Sequence, residues 1–190
     1  MSDVTTNMIK IGPAGSKNGT AWDEKGHSKI VQIFVSHDDE INSLQFEYAE
    51  NGTLVLSETH GTSEGYRFDV VKLKHPAEYI TYISGYKSSN NNNLCSVTFG
   101  TNRGEYGPYG KFTVNKDKDF IFRLGDDRQF GGFHGTADNN GVRSIGVYLQ
   151  PITSLDYFLD KLGYAKTQLI STTNKDNNGD NWEMLSGLHE

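Results

Sequence analysis

Three segments of the chain, INSLQFEY, LCSVTFGT and VRSIGVYL, share one pattern: a serine, at Ser43, Ser96 and Ser144, followed by an apolar residue within a short alternating run. They recur at spacings of 53 and 48 residues. Apolar alternation with period two marks a strand that buries one face. Each segment follows another strand candidate, KIVQIFVS, EYITYISG or QFGGFHGT, so the repeated unit is a hairpin. One small sheet cannot bury its apolar face alone, whereas three sheets facing a common axis share a core. The repeat therefore predicts an all-β fold of three four-stranded antiparallel sheets with pseudo-threefold symmetry. Two further runs, TLVLSETHGTSEGYRFDVVKL and KFTVNKDKDFIFRLG, read as long hairpins between these units.

Helical periodicity is almost absent before residue 150, and the 21 glycines accompany turn signals at Asn51-Gly52, TSEG, KSSNNNN, NKDKD and ADNNG. In the last of these, Asn140-Gly141 is the strongest short-range hairpin signal. KSSNNNN reads as a flexible turn. After Pro151 the pattern changes. Leu155, Phe158, Leu159 and Leu162 stand at i, i+3, i+4 and i+7, a short amphipathic helix with Thr153 or Ser154 as its N-cap. STTNKDNNGDN has the polarity of a linker, and WEMLSGLHE reads as a loose terminus or a short binding element. The expected organisation is an N-terminal extension (1–8), one β domain (9–151) and a C-terminal extension (152–190) that is partly helical or disordered.

Composition narrows the function. The net charge is −6, and the lysines and arginines are scattered rather than gathered in a stripe, which argues against nucleic acid as a partner. No window approaches the roughly 20 apolar residues of a membrane span. A single cysteine, Cys95, excludes an internal disulfide framework and reads as a buried, inert thiol. The start MSDVTTNMIKIG has no basic stretch followed by an apolar one, so a cytosolic protein is expected. The sequons at Asn18 and Asn51 then read as Asn-Gly turns. The six histidines show no metal-ligand spacing, and each reads as a surface or hydrogen-bonded side chain. HGT occurs at His60 and His134 without a serine on a strand–turn–helix elbow. The pairs Asp38/Asp39 and Asp126/Asp127 read as solvated turns rather than paired catalytic acids. KDKD lacks the spaced oxygen ligands of a calcium loop. No enzymatic chemistry and no cofactor is expected. GPAGSKNGT lacks the Gly-Lys-Ser/Thr of a phosphate loop and reads as a loop for close backbone approach.

With repeats and loops in view, the chain resembles plant jacalin-related lectins from about Ile9 to Pro151. The segments IGPAGSKNGTAWDEKGHSKIVQIFV, FDVVKL, EYITYISG, EYGPYGKF and QFGGFHGT followed by SIGVYLQP carry the resemblance. It implies a β-prism that binds carbohydrate without catalysis and a role in plant defence, including against viruses. Gly12 lies inside the continuous MIKIGPAG, so the resemblance implies the uncleaved, mannose-type layout and a cytoplasmic or nucleocytoplasmic protein. It also implies homo-oligomers, because weak single sites become useful when multiplied.

In that family the sugar meets backbone N–H groups, a carboxylate that accepts hydroxyl protons, and a glycine that permits close approach. The N-terminal glycine of the pattern falls on Gly19, and the Gly-x-x-x-Asp loop falls on Asn139, Asn140, Gly141, Val142 and Arg143. Asparagine visits the left-handed region more readily than most residues, so Asn139 is tolerable where the pattern has glycine. Arg143 is a larger departure, because a guanidinium donates only and accepts nothing. Each lost charged hydrogen bond is worth about 1.5–3 kcal/mol, enough to silence a weak site. Two escapes remain: Asp138 swings in as the acceptor, or Arg143 selects an anionic ligand. In a second, possible site, Ser36 and Glu40 take the Gly and Asp positions opposite Gly61 and Gly65; a solvated acidic turn is the competing reading. Two functions stand side by side: a mannose-type glycan-binding lectin, or a protein-interaction module on a lectin scaffold with a degenerate sugar site.

Overall fold

The computed structural model describes residues 7–111, 119–126 and 129–152, and no helix occurs among them. The strands are β1 (Ile9–Gly15), β2 (Thr20–Asp23), β3 (Ile30–His37), β4 (Ile41–Glu50), β5 (Thr53–Leu56), β6 (His60–Gly61), β7 (Arg67–Lys72), β8 (Ile80–Lys87), β9 (Leu94–Thr101), β10 (Glu105–Gly110), β11 (Asp119–Arg123), β12 (Phe130–Asp138) and β13 (Gly141–Leu149). They form three antiparallel sheets in the orders β1-β13-β12-β2, β5-β4-β3-β7 and β10-β9-β8-β11. Below these are sheets A, B and C. The two-residue β6 faces Ser43 and Leu44 of β4 where β5 faces Glu47 to Glu50, so together they make the fourth position of sheet B. The three four-stranded sheets read from the repeat are therefore those that form.

Each repeat is a central hairpin: β3–β4, β8–β9 and β12–β13. The remaining strands do not pair with each other as long hairpins. β5 lies on β4 and β7 on β3, at opposite edges of sheet B, and β10 and β11 likewise flank sheet C. A central hairpin offers two free backbone edges, and one flanking strand satisfies each. The arm read over KFTVN lies outside the described residues from 112 onward, as do the helix read over 155–162 and the chain beyond it. β1, β2 and β10 lack a strand signature in the sequence. β1 and β10 carry Gly-Pro pairs, at Gly12-Pro13 and Gly107-Pro108, and the ladder slips its register at both. Proline is confined to edges and bulges of sheets, and both strands are edges.

The repeated serines have a backbone explanation. In each central hairpin the second strand carries one unpaired residue just before its serine: Asn42, Cys95 and Arg143. The carbonyl of each bulge residue accepts an N–H from the neighbouring edge: Thr62 at 2.9 Å, Lys111 at 3.1 Å and Ser16 at 3.0 Å. The preceding residues, Gly61, Gly110 and Gly15, pair with Ser43, Ser96 and Ser144 and have φ of 109°, 84° and 120°. A Cβ there would lie 2.1, 2.1 and 2.3 Å from the same three carbonyl oxygens. Glycine is thus required at all three places.

The core lies where the sheets face one another. Leu44, Val97 and Ile145, the apolar residues after the repeated serines, are fully buried. Above them Phe46 of sheet B stacks on Phe133 of sheet A at 4.8 Å, and Phe99 of sheet C meets Phe133 edge-on at 5.9 Å. Cys95 is half-buried at its bulge, and burial raises its thiol pKa.

Candidate functional site

The hairpin β12–β13 turns on Asn139 and Asn140, with Asp138 opposite Gly141. The Asn140-Gly141 signal therefore marks the tip, although the turn centre sits one residue earlier. Asp138 shapes it: its Oδ1 accepts the Asn140 N–H at 2.8 Å. Gly141, at φ 131°, brings its Cα against Ile41, whose carbonyl oxygen would be 2.6 Å from a Cβ. The tip thus rests on the start of β4 in sheet B. Val142 points into the core and is buried. Gly19, at φ 91°, leads into β2, and a Cβ there would lie 2.4 Å from the Ala137 carbonyl oxygen. Gly19 is thus the close-approach glycine beside this hairpin. KSSNNNN is anchored to the same region, because Asn92, at φ 61°, donates through Nδ2 to the Gly15 carbonyl at 2.8 Å.

Arg143 decides what this loop can do. It is the bulge residue of β13, a position at which the strand can re-aim a side chain. Its Nε donates to Asp138 Oδ2 at 2.9 Å, and Nη2 lies 2.8 Å from Asp138 Oδ1. Its Nη1 reaches Glu40 Oε2 of sheet B at 3.5 Å. The fork on Asp138 is bidentate, a strong and geometrically specific arrangement. Arg143 is buried, and its hydrogen bond holds the Asp138 carboxyl below the usual carboxylate range. Asp138, one possible acceptor for sugar hydroxyls, and Arg143, one possible partner for an anion, occupy each other. Glu40, the acid of the second pattern, turns toward Arg143 as well.

Around the second pattern, Gly61 serves the bulge beneath Ser43, and Gly65 packs on Ser36 and Asn42, with Ser36 Oγ 2.2 Å from where a Cβ would stand. The acid that organises this loop is Asp38. Its Oδ1 accepts the Tyr66 N–H at 2.9 Å, and Asn42 Nδ2 donates to the Glu64 carbonyl. A hollow of about 450 Å³ lies here, lined by Asp38, Asn42, Thr62, Tyr66, Asn139 and Asn140. Asp38, Asn42, Tyr66 and Asn92 are the residues that sequence reasoning did not single out as site-forming. Asp38 resembles any solvated turn acid, and nothing in a run of four asparagines says which one folds back.

His60 and His134 are hydrogen-bonded. His60 Nε2 lies 2.6 Å from Glu24 Oε1 and stacks on Trp22 at 4.3 Å, so the buried Glu24 ties β6 to sheet A. Tyr48 donates to the other oxygen of Glu24 at 3.2 Å. His134 lies flat over Gly146 and approaches the Ile11 carbonyl at 3.0 Å, and its burial lowers its pKa.

Three sheets about one axis, with hairpin tips and a glycine loop gathered at one end, define a β-prism lectin domain. The chain belongs to the jacalin-related lectins: the profile of the Jacalin-like lectin domain matches residues 11–148. It is 48% identical over 157 residues to Protein RESTRICTED TEV MOVEMENT 1 of Arabidopsis thaliana, covering 77% of this chain and 90% of that protein. It is 43% identical to Jacalin-related lectin 2 of the same plant, covering 75% of this chain and 86% of that protein. Among solved structures, a mannose-specific jacalin-related lectin from Morus nigra in complex with mannose superposes with a TM-score of 0.68 at 28% identity. That superposition covers 80% of this chain and 99% of that one.

Proposed function

We propose that this protein is a non-enzymatic interaction module on a lectin scaffold whose mannose-type loop is closed, and that it acts in plant defence by restricting virus movement. The observation that carries the reading is the Arg143 fork on Asp138 with its reach to Glu40. A site of this type needs a free carboxylate for hydroxyl protons; those of Asp138 and Glu40 are engaged by a guanidinium, and that of Asp38 accepts the Tyr66 N–H. The 48% identity to a protein named for restricted virus movement supports the defence role. Self-association or a protein partner, in the cytoplasm or nucleocytoplasm, replaces glycan capture at this loop in this reading.

The test is a titration of isotopically labelled protein with methyl α-mannoside, following the amides of Gly19 and Asn140 to Arg143. The unmodified chain shows no saturable change at high millimolar sugar. Arg143→Asp alone would crowd three carboxylates, so it is combined with Asp138→Asn and Glu40→Gln. This variant, with one free acceptor on an intact turn, gains saturable shifts in these loops. Saturable shifts in the unmodified chain would overturn the closed-site reading.

A further inference from the structure

The outer face of sheet C holds a trough of about 710 Å³, within the size range of small-molecule sites. Its floor is polar and low: Ser84 of β8 stands directly opposite Thr98 of β9. One wall comes from β10, with Glu105 and Pro108, and the other from β11, with Ile121 and Arg123. At one end Tyr82 lies flat across Gly100, where a Cβ would come within 2.0 Å of its ring. The ring is held there by its hydroxyl, which donates to Glu105 Oε1, and the Arg123 guanidinium stands 5.8 Å from the ring centroid. Among the described residues Arg123 forms no ion pair with a carboxylate. Arg123 lines the trough within cation–π reach of the ring.

We propose that this trough is a second binding site, for a neutral saccharide, separate from the loops at the end of the prism. Two competing occupants fit the trough less well. β8 and β9 are the central strands of sheet C and both of their edges are paired, so a peptide cannot add a strand there. Recognition must come from side chains. Those present are an immobilised aromatic ring, a carboxylate acceptor, a guanidinium donor and two small hydroxyls, which match the alternating C–H faces and hydroxyl edges of a pyranose. Among the described lining residues Glu105 and Asp119 outnumber Arg123, which disfavours an acidic glycan. Ile121, 47% exposed, offers an apolar wall with no polar demand. The other two sheets carry different side-chain arrangements: in sheet A the buried Tyr148 donates to Asp23 with Lys10 and Lys25 over its ring, and in sheet B Phe34 stacks with Phe68.

The test uses the labelled full chain titrated separately with mannotriose, chitotriose and trigalacturonic acid, following the Ser84 and Thr98 amides and the Tyr82 ring signals. A neutral trisaccharide shifts these signals saturably in the millimolar range, while the signals of Gly19 and Asn140 to Arg143 stay put. Tyr82→Ala abolishes the response. Tyr82→Phe keeps the ring but loses its tether to Glu105, and weakens binding several-fold. Absence of saturable shifts with both neutral sugars, or a response to trigalacturonic acid alone, overturns the proposal. Shifts confined to the loops would overturn both this proposal and the closed-site reading above, whereas silence at both places overturns this proposal alone, so the two failures are distinguishable.

Discussion

Arg143 shows how one residue can change the use of a site while the scaffold around it persists. The pair with Asp138 joins two residues of one hairpin, and the contact with Glu40 joins two sheets. Arg143→Ala leaves two carboxylates facing each other without their cation. Because both are about a third exposed, solvent limits the cost to about 1–2 kcal/mol at pH 7. The pH dependence has a definite sign. The folded Asp138 carboxyl titrates below its unfolded value, near 3.9, so the unfolded chain binds more protons in that window. The stabilisation is complete above about pH 4–5 and fades as pH falls through the folded value. Urea unfolding of both proteins at pH 7 and pH 3 checks this: the gap is present at pH 7 and shrinks at pH 3. A gap that grows on acidification would mean that the fork is not what Arg143 contributes.

The element that governs this fold is the bulged central hairpin with a positive-φ glycine on the strand beside it. Gly15→Ala, Gly61→Ala and Gly110→Ala each place a Cβ against a bulge carbonyl that is already hydrogen-bonded. Gly52, at φ 82° in the Asn51-Gly52 turn, and Gly26, at φ 91°, have no atom within 4 Å of a new Cβ. Alanine at these two control positions costs only the left-handed backbone, about 1–2 kcal/mol. The three bulge glycines cost more, by a further 1–3 kcal/mol or so, because the ladder must shift. Urea midpoints of the five variants order them accordingly, and equal losses at bulge and turn would refute the argument. The serines of these units were legible as a repeat, but the bulges beside them were not. A bulge is a mismatch in count between two strands, and one strand read alone does not contain it.

At the scale of the whole domain, the three sheets hold together through Phe46, Phe99 and Phe133, one from each sheet and all fully buried. Phe133→Ala removes the ring that touches both others and costs about 3–5 kcal/mol, with one cooperative transition rather than loss of a single sheet. Phe68→Ala, on the exposed face of sheet B at 66% exposure, costs less than about 1 kcal/mol. Calorimetry of both variants separates a shared core from three independent sheets, since independent sheets would melt in separate steps.

The chain by itself determined the fold class and the location of the loop end. Period-two alternation and a thrice-repeated hairpin leave few ways to bury apolar faces, and the loops that resemble a sugar site announced themselves at Gly19 and Asn139 to Arg143. Tertiary structure decided whether that site is open. Asp138 and Arg143 are five residues apart, and Glu40 is 103 residues from Arg143. Only the folded arrangement brings the hairpin tip of sheet A against the start of β4, so that these charges meet. The trough on sheet C has the same origin. Tyr82, Gly100, Glu105 and Arg123 come from four strands, and only their pairing into one sheet lays the ring on Gly100 between a carboxylate and a guanidinium. Local pattern specifies which residues face the core, because that choice depends on neighbours in sequence. The partners of charged and aromatic side chains at the surface depend on register and on packing between sheets, which no local pattern encodes.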